Sequence, residues 1–180
     1  MTLAARALLP LAMLLPLSLP GAPPAVPPPV RQAEDRGRMA SGSAWRELLA
    51  GFQARGVAVV GSHPRCAEAA LEGLYVRGRR EVVVCPRGDR SVTLRHEGWH
   101  LVQSLCLADR PWLPAEPVLR QLDRRDRREL RALVAPSRWP REAEARVMAR
   151  LAPGPYLQAV DQACAGRLPL GGGSGAAVPP

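Results

Sequence analysis

Large apolar side chains first recur at helical spacing near residue 45. Four of them lie three or four residues apart, the spacing of one helix face: Trp45, Leu48, Leu49 and Phe52. Ser43 comes just before them and can cap a helix, because its hydroxyl can accept from an unpaired amide of the first turn. Gly56 follows them and can end it. The pattern therefore predicts a helix over residues 44–55.

Valine-rich segments after this helix predict short strands. Residues 57–60 have the composition of a buried strand, and residues 65–72 are typical of a helix that ends at a glycine. Residues 74–76 and 81–85 are again rich in β-branched and aromatic side chains. Gly78 lies between them and can adopt the positive φ of a tight turn, so the two segments predict a hairpin.

The second half of the chain is predicted to be helical. Ser91 can cap a helix over residues 92–108, whose apolar positions cover much of its circumference, as expected of a central helix. Proline-containing breaks separate three further predicted helices, over residues 118–134, 141–151 and 156–165. The chain therefore predicts a small α+β domain, with a short sheet or hairpin beside a bundle of helices.

Both ends of the chain differ in composition from this domain. Arg6 precedes an apolar run and then small residues, the arrangement of a secretory signal, so residues 1–25 are predicted to be a signal peptide or an uncleaved N-terminal anchor. Residues 26–42 are predicted to be a flexible proline-rich leader, residues 43–168 the folded domain, and residues 169–180 a disordered tail. We expect an exported protein, either periplasmic or secreted, with membrane anchoring by the N-terminus as the alternative.

The cysteines support export. Their number is even, and no pair has the Cys-x-x-Cys spacing of a zinc knuckle. Three pairings exist, and we favour Cys66–Cys85 with Cys106–Cys164. The first would hold the hairpin to the helix before it, and the second would hold the last predicted helix to the central one.

The net charge of +9 raises the question of an anionic partner. All the basic residues are arginines, which is also the composition expected of a protein from a GC-rich genome, and we favour that explanation. The arginines are scattered and lack the interleaved aromatics of a base-stacking surface. The sequence therefore predicts no specific nucleic-acid partner, and contact with an anionic component of the cell envelope stays open.

Two histidines and a glutamate in the central predicted helix carry the clearest chemistry. His96 and His100 are four residues apart, which puts both imidazoles on one helix face. Their nitrogens can then reach one Zn²⁺ at about 2.0–2.1 Å. Glu97 can take a proton from a water activated by that metal and pass it to a leaving amine. The His-Glu-x-x-His motif therefore predicts a zinc site with Glu97 as general base.

This helix resembles a known family. Residues 93–103 read Thr-Leu-Arg-His-Glu-Gly-Trp-His-Leu-Val-Gln and resemble the active-site helix of zincin metallopeptidases, in particular the gluzincin branch. A looser pattern over residues 64–165 resembles small exported cyanobacterial proteins with a His-Glu-x-x-His-x-x-Gln helix. The resemblance implies a zincin-like domain that hydrolyses a peptide or protein, with the strand at residues 81–85 as an edge for the substrate. The alternative is a non-catalytic exported domain that keeps zinc as a structural cross-link.

The third metal ligand is left open by the sequence. Cys106 stands where metzincins have a histidine, so that pattern is excluded, and His63 is a weak candidate in a loop. Gluzincins take a glutamate from a later helix, which here means Glu142 or Glu144. Glu142 matches the Glu-x-x-Ala register implied by the resemblance. Glu144 shares a face with apolar residues and would need a partner when buried.

Three further side chains are candidates for the same site. Gln103 lies three residues after His100 and could orient a metal ligand or bind substrate, although a solvated surface position explains it as well. Tyr75 or Tyr156 could stabilise the oxyanion that forms when a carbonyl is attacked. Trp99 is expected to lie in the core.

Overall fold

The computed structural model describes residues 39–165, which form an α+β domain as the sequence predicts. Six α-helices and a three-stranded sheet lie within this range. In chain order the elements are α1 (Met39–Ala54), β1 (Ala58–Val60), a 3₁₀ turn (Pro64–Ala67), β2 (Gly73–Tyr75), β3 (Glu81–Val84), α2 (Arg90–Cys106), α3 (Ala115–Gln121), α4 (Arg124–Leu133), a second 3₁₀ turn (Pro136–Arg138), α5 (Trp139–Met148) and α6 (Pro153–Cys164).

The sheet has the order β1-β3-β2. β1 runs parallel to β3, and β2 pairs antiparallel with β3 as the predicted hairpin, with Gly78 in its turn at φ +78°. The prediction that residues 81–85 form an edge strand is wrong. β3 is central, and its three valines, Val82, Val83 and Val84, are buried because both faces of the strand are covered. Within the hairpin, the strand with a free edge is therefore β2.

Helix α2 is the centre of the domain, and it packs against α1, α5, α6, β2 and β3. Trp99 is fully buried on it, as expected. Gly98 makes the close packing possible, since a Cβ at this position would lie 2.2 Å from Cζ of Phe52 and 2.9 Å from the hydroxyl of Tyr156. The glycine inside the His-Glu-x-x-His motif therefore serves the packing of α1 and α6 against the helix.

Two predicted helix caps are wrong. Helix α1 begins at Met39, so Ser43 lies inside it and residues 39–42, assigned to the leader, are helical. Helix α2 is capped by Asp89, whose carboxylate accepts from the amides of Ser91 (2.9 Å) and Val92 (3.0 Å). Asp89 lies two residues before the predicted cap, so Ser91 is inside the helix and its own amide is one of the unpaired donors that the carboxylate satisfies.

Two predicted helices are also shorter than expected. The segment 65–72 contains only the first 3₁₀ turn, Pro64–Ala67. The predicted helix 118–134 is divided into α3 and α4, because Leu122 is extended and Asp123 caps α4 by accepting from the amide of Asp126 at 2.8 Å. Apolar residues keep their helical spacing across this break (Leu119, Leu122, Leu130 and Leu133), which explains why periodicity alone predicted one helix.

The two disulfides form in the favoured pairing, Cys66–Cys85 and Cys106–Cys164. Two disulfides in a small domain indicate an oxidising compartment. Within residues 39–165, none of the helices has the length and apolar character that crossing a bilayer requires. The predicted signal or anchor (1–25), residues 26–38 of the predicted leader and the predicted tail (169–180) lie outside the described residues.

Candidate metal centre

Three side chains from two helices converge on one point. His96 and His100 lie one turn apart on α2, and Glu142 faces them from α5. Nε2 of His96 is 3.5 Å from Oε1 of Glu142, and Nε2 of His100 is 3.1 Å from Oε2. One ligand atom from each residue lies within 4.8 Å of the other two, so the group could hold a metal ion.

The donor set suits zinc. Two imidazoles and one carboxylate form the donor set His₂Glu of catalytic zinc sites, which leaves a fourth position for water or substrate. Both imidazoles approach the same carboxylate, each facing a different oxygen. The residues present therefore fit zinc in their chemistry, and their ligand atoms lie close enough together to hold a metal ion.

The tautomer of His100 is fixed by Gln103. The amide nitrogen of Gln103 donates to the carbonyl of Arg141 (2.9 Å) and to Glu144 (2.7 Å), so its oxygen must face His100. This oxygen lies 2.9 Å from Nδ1 of His100, which must then carry the proton. In the neutral ring Nε2 consequently presents its lone pair to the carboxylate of Glu142. A proton or a metal ion between these two atoms removes the resulting repulsion.

Glu144 lies elsewhere. It is fully buried, and its carboxylate accepts four hydrogen bonds: from Nε1 of Trp99 (2.8 Å), from Nε2 of Gln103 (2.7 Å), and from the backbone amides of Trp112 (2.8 Å) and Leu113 (2.6 Å). Its burial agrees with its predicted place on the apolar face of α5. These donors, rather than a metal, satisfy the carboxylate, so the structure brings Glu142 and not Glu144 to the imidazoles.

The electrostatics favour a cation among the three groups. Burial lowers the pKa of His96 to about 4, with the neighbouring His100 acting in the same direction. Burial also disfavours protonation of His100, but the hydrogen bond to Glu142 and the charge of Glu97 outweigh it and raise the pKa of His100. For Glu142, burial opposes ionisation, whereas His100, His96 and Arg146 together lower its pKa to about 2. Glu142 is thus an ionised carboxylate facing two rings, which is the state that a metal requires.

Glu97 points to the sheet edge next to the site. Its Oε2 accepts from the amide of Tyr75 at 3.1 Å, and burial raises the pKa of its carboxyl group. Gly73 permits this approach of β2 to α2, because a Cβ there would lie 2.5 Å from Cγ2 of Thr93 and 2.7 Å from the carbonyl oxygen of Val83. Glu97 is therefore held beside the group of His96, His100 and Glu142 without being part of it.

The other sequence candidates divide between the site and the core. Tyr75 lies at the site, with its ring centroid 6.0 Å from that of His100. Tyr156 is fully buried and donates to the carbonyl of Arg95, so it cannot reach a substrate. Gln103 is fully buried, which excludes the solvated position. His63 caps the first 3₁₀ turn by accepting from the amide of Arg65, and it is not part of the group.

Two arginines lie at the site although neither was predicted to belong to it. Arg141 donates to Gln103 (3.1 Å) and to the hydroxyl of Tyr75 (3.3 Å), and Arg146 donates to Glu142 (3.3 Å). Arg146 follows Glu142 by four residues, and the helical register alone places the two on one face. The contacts of Arg141 depend on how α5 packs against α2, for which the sequence has no local signal.

Comparison with known proteins returned no similar one. No protein-family model, no curated protein and no solved structure matches the chain.

Proposed function

We propose that the chain is an exported zinc-dependent peptide hydrolase of the gluzincin kind, with His96, His100 and Glu142 as the metal ligands. The observation that carries the proposal is the convergence of these three side chains on one point, with Glu97 on the helix that carries the two histidines. Glu142 adds to the two histidines of the motif on α2 the third ligand that a His₂Glu zinc site requires.

Zinc in such a site supplies a Lewis acid that polarises a carbonyl and lowers the pKa of water. The residues of the chain supply the rest. Glu97 takes a proton from water and delivers it to the leaving nitrogen, and its raised pKa suits a group that must both accept and release a proton. In the overall reaction the C–N bond breaks, the carbonyl carbon gains the oxygen of water, and the amine leaves with a proton.

The neighbouring groups position these reactants. Gln103 keeps Nδ1 of His100 protonated and so directs Nε2 towards Glu142. The hydroxyl of Tyr75 lies beside the guanidinium of Arg141, and together they offer hydrogen-bond donors to the oxygen that becomes negative during attack. The amide of Tyr75 on β2 is the contact that Glu97 exchanges when it turns to water.

One observation favours the alternative, a zinc-binding domain without catalysis. The hydrogen bond from the amide of Tyr75 gives the carboxylate of Glu97 a structural partner between β2 and α2. In that alternative the metal cross-links α2 to α5, and Glu97 joins α2 to the sheet.

Metal analysis and hydrolysis assays on the same preparations test both candidate functions, the hydrolase and the non-catalytic zinc-binding domain. We expect one zinc per chain in the wild type and in Glu97→Gln, and loss of zinc in His96→Ala and Glu142→Ala. His63→Ala is the matched control, since this histidine lies outside the group, and it should retain zinc.

Hydrolysis of a mixed peptide library should occur in the wild type and fall by at least about 10²-fold in Glu97→Gln, the lower range for loss of a general base. Zinc binding without hydrolysis in the wild type would favour the structural alternative. Failure of the wild type to retain equimolar zinc would overturn both.

A further inference from the structure

A cavity of about 400 Å³ opens directly against the candidate metal centre. Two of its lining residues, His100 and Glu142, are metal ligands of the proposed site. The remaining lining residues are Tyr75, Arg77, Leu133, Val134, Arg138 and Arg141. A molecule that enters this cavity therefore lies beside the position of the reacting bond.

The cavity carries an excess of positive charge. Arg77 and Arg141 share one carboxylate, Asp109, at 2.7 Å and 3.1 Å. Arg138 is exposed, and within residues 39–165 it forms no ion pair with a carboxylate. The acidic lining residue, Glu142, already faces the two imidazoles. The surplus guanidinium charge favours an anionic ligand, and the planar fork of arginine matches a carboxylate.

One wall of the same cavity is apolar. Leu133 is 78% exposed although it is a large aliphatic residue, and Val134 beside it is partly exposed. Burying such a surface against an apolar side chain of a ligand stabilises the complex. The cavity thus combines an apolar contact with guanidinium groups, which are the two features needed to hold an apolar residue that ends in a free carboxylate.

The distance between Arg138 and Glu142 along α5 suits a ligand that ends in a carboxylate. Arg138 precedes Glu142 by four residues, and its backbone is already in the helical region at the start of α5. Four residues of helix rise about 6 Å. One extended residue of a peptide spans about 3.3–3.6 Å, so a carboxylate one or two residues beyond a bond at the metal centre lies within reach of the Arg138 side chain.

We propose that this cavity binds the C-terminal carboxylate of a peptide whose last residue is apolar, so that hydrolysis releases one or two residues from the C-terminus. The carboxylate pairs with Arg138, and Arg77 and Arg141 add positive charge around it. The apolar side chain packs on Leu133 and Val134. The cleavage of the bond rests on the proposed function, whereas the binding of the carboxylate depends only on the residues of the cavity.

Binding to the full-length Glu97→Gln protein, titrated by calorimetry with and without zinc, tests the inference separately from catalysis. Three peptides of one sequence are compared: one with a free C-terminus and a final leucine, its C-terminal amide, and an amide that ends in glutamate. We expect amidation of the leucine peptide to weaken binding at least tenfold, and the glutamate amide to bind as weakly as the leucine amide.

Arg138→Gln should abolish the difference between free acid and amide, with its zinc content unchanged. Arg128→Gln is the matched control, because Arg128 is an exposed arginine of α4 outside this cavity, and it should keep the difference. Equal binding of free acid and amide, or an equal loss in Arg128→Gln, would overturn the inference. Tight binding of the glutamate amide would also overturn it, since the ligand would then be an acidic side chain.

These outcomes are separable from failure of the proposed function. A protein that retains no zinc but still prefers the free acid contradicts the hydrolase and supports the carboxylate-binding cavity. A zinc-loaded protein that hydrolyses peptides without regard to their C-terminus supports the hydrolase and contradicts the cavity assignment.

Discussion

The side-chain oxygen of Gln103 lies 2.9 Å from Nδ1 of His100, while the nitrogen of the same amide is held by Glu144 and by the carbonyl of Arg141. This chain of hydrogen bonds joins the fully buried carboxylate of Glu144 to the imidazole of His100, one of the three groups that could hold a metal ion, through one fixed amide. The orientation of His100 therefore depends on contacts that lie entirely inside the protein.

Replacing Gln103 with leucine should lower zinc affinity by about 10–100-fold, the usual effect of losing a group that orients a metal ligand. Competition with a chromophoric chelator measures this affinity, and circular dichroism checks that the fold is retained. Gln158→Leu is the matched control, since this glutamine is exposed on α6. An unchanged affinity in folded Gln103→Leu would refute the orienting role.

The two glutamates of α5 should respond in opposite ways to replacement by glutamine. Glu144→Gln puts an amide where four donors converge, and we expect a loss of about 3 kcal/mol in the free energy of unfolding, measured with urea. Glu142→Gln should remove zinc binding while the protein stays folded. Zinc binding retained in Glu142→Gln and lost in a folded Glu144→Gln would reverse the assignment.

Gly98→Ala should destabilise the domain by about 1–3 kcal/mol, because the added methyl group overlaps the ring of Phe52, 2.2 Å away. Thermal unfolding measures the effect. Gly61→Ala is the control, with open space around its Cβ position and no positive φ. A smaller cost of Gly98→Ala in a Phe52→Leu background would identify this ring as the cause.

The two disulfides should differ in their contribution to stability. They close segments of 58 and 19 residues in sequence separation, and the chain-entropy model gives about 4 kcal/mol for Cys106–Cys164 and about 3 kcal/mol for Cys66–Cys85. Paired alanine variants, unfolded in urea, measure each contribution. The order would be reversed if strain in the native state, rather than loop entropy, dominated.

Acidification should weaken the link between Asp109 and its arginines. The hydrogen bonds from Arg77, assisted by the charge of Arg141, hold the pKa of Asp109 below its ordinary value. Because the folded-state pKa is the lower one, the contribution to stability is present above about pH 4 and is lost as the pH falls through the folded-state pKa. Carbon NMR of the Asp109 carboxyl should show a higher pKa in Arg77→Ala, whereas Arg79→Ala should leave it unchanged.

Glu144 was predicted in part correctly. The sequence pattern placed it on the buried side of α5, and the side chain is indeed fully buried. A metal was one candidate partner for its carboxylate, whereas the actual partners come from α2 and from the backbone at residues 112–113. Burial follows from periodicity, but the identity of the partner requires the positions of distant segments.

The sequence by itself determined what depends on neighbouring residues along the chain: the helices and hairpin in outline, and the two imidazoles of His96 and His100 on one face, because backbone geometry fixes the spacing of i and i+4. Only the tertiary structure decided that Glu142 completes the group, that β2 rather than β3 has the free edge, and that Arg138 lies on the wall of the adjoining cavity. These outcomes depend on how α5 is rotated and docked against α2, which the packing of buried side chains across the whole core sets at once.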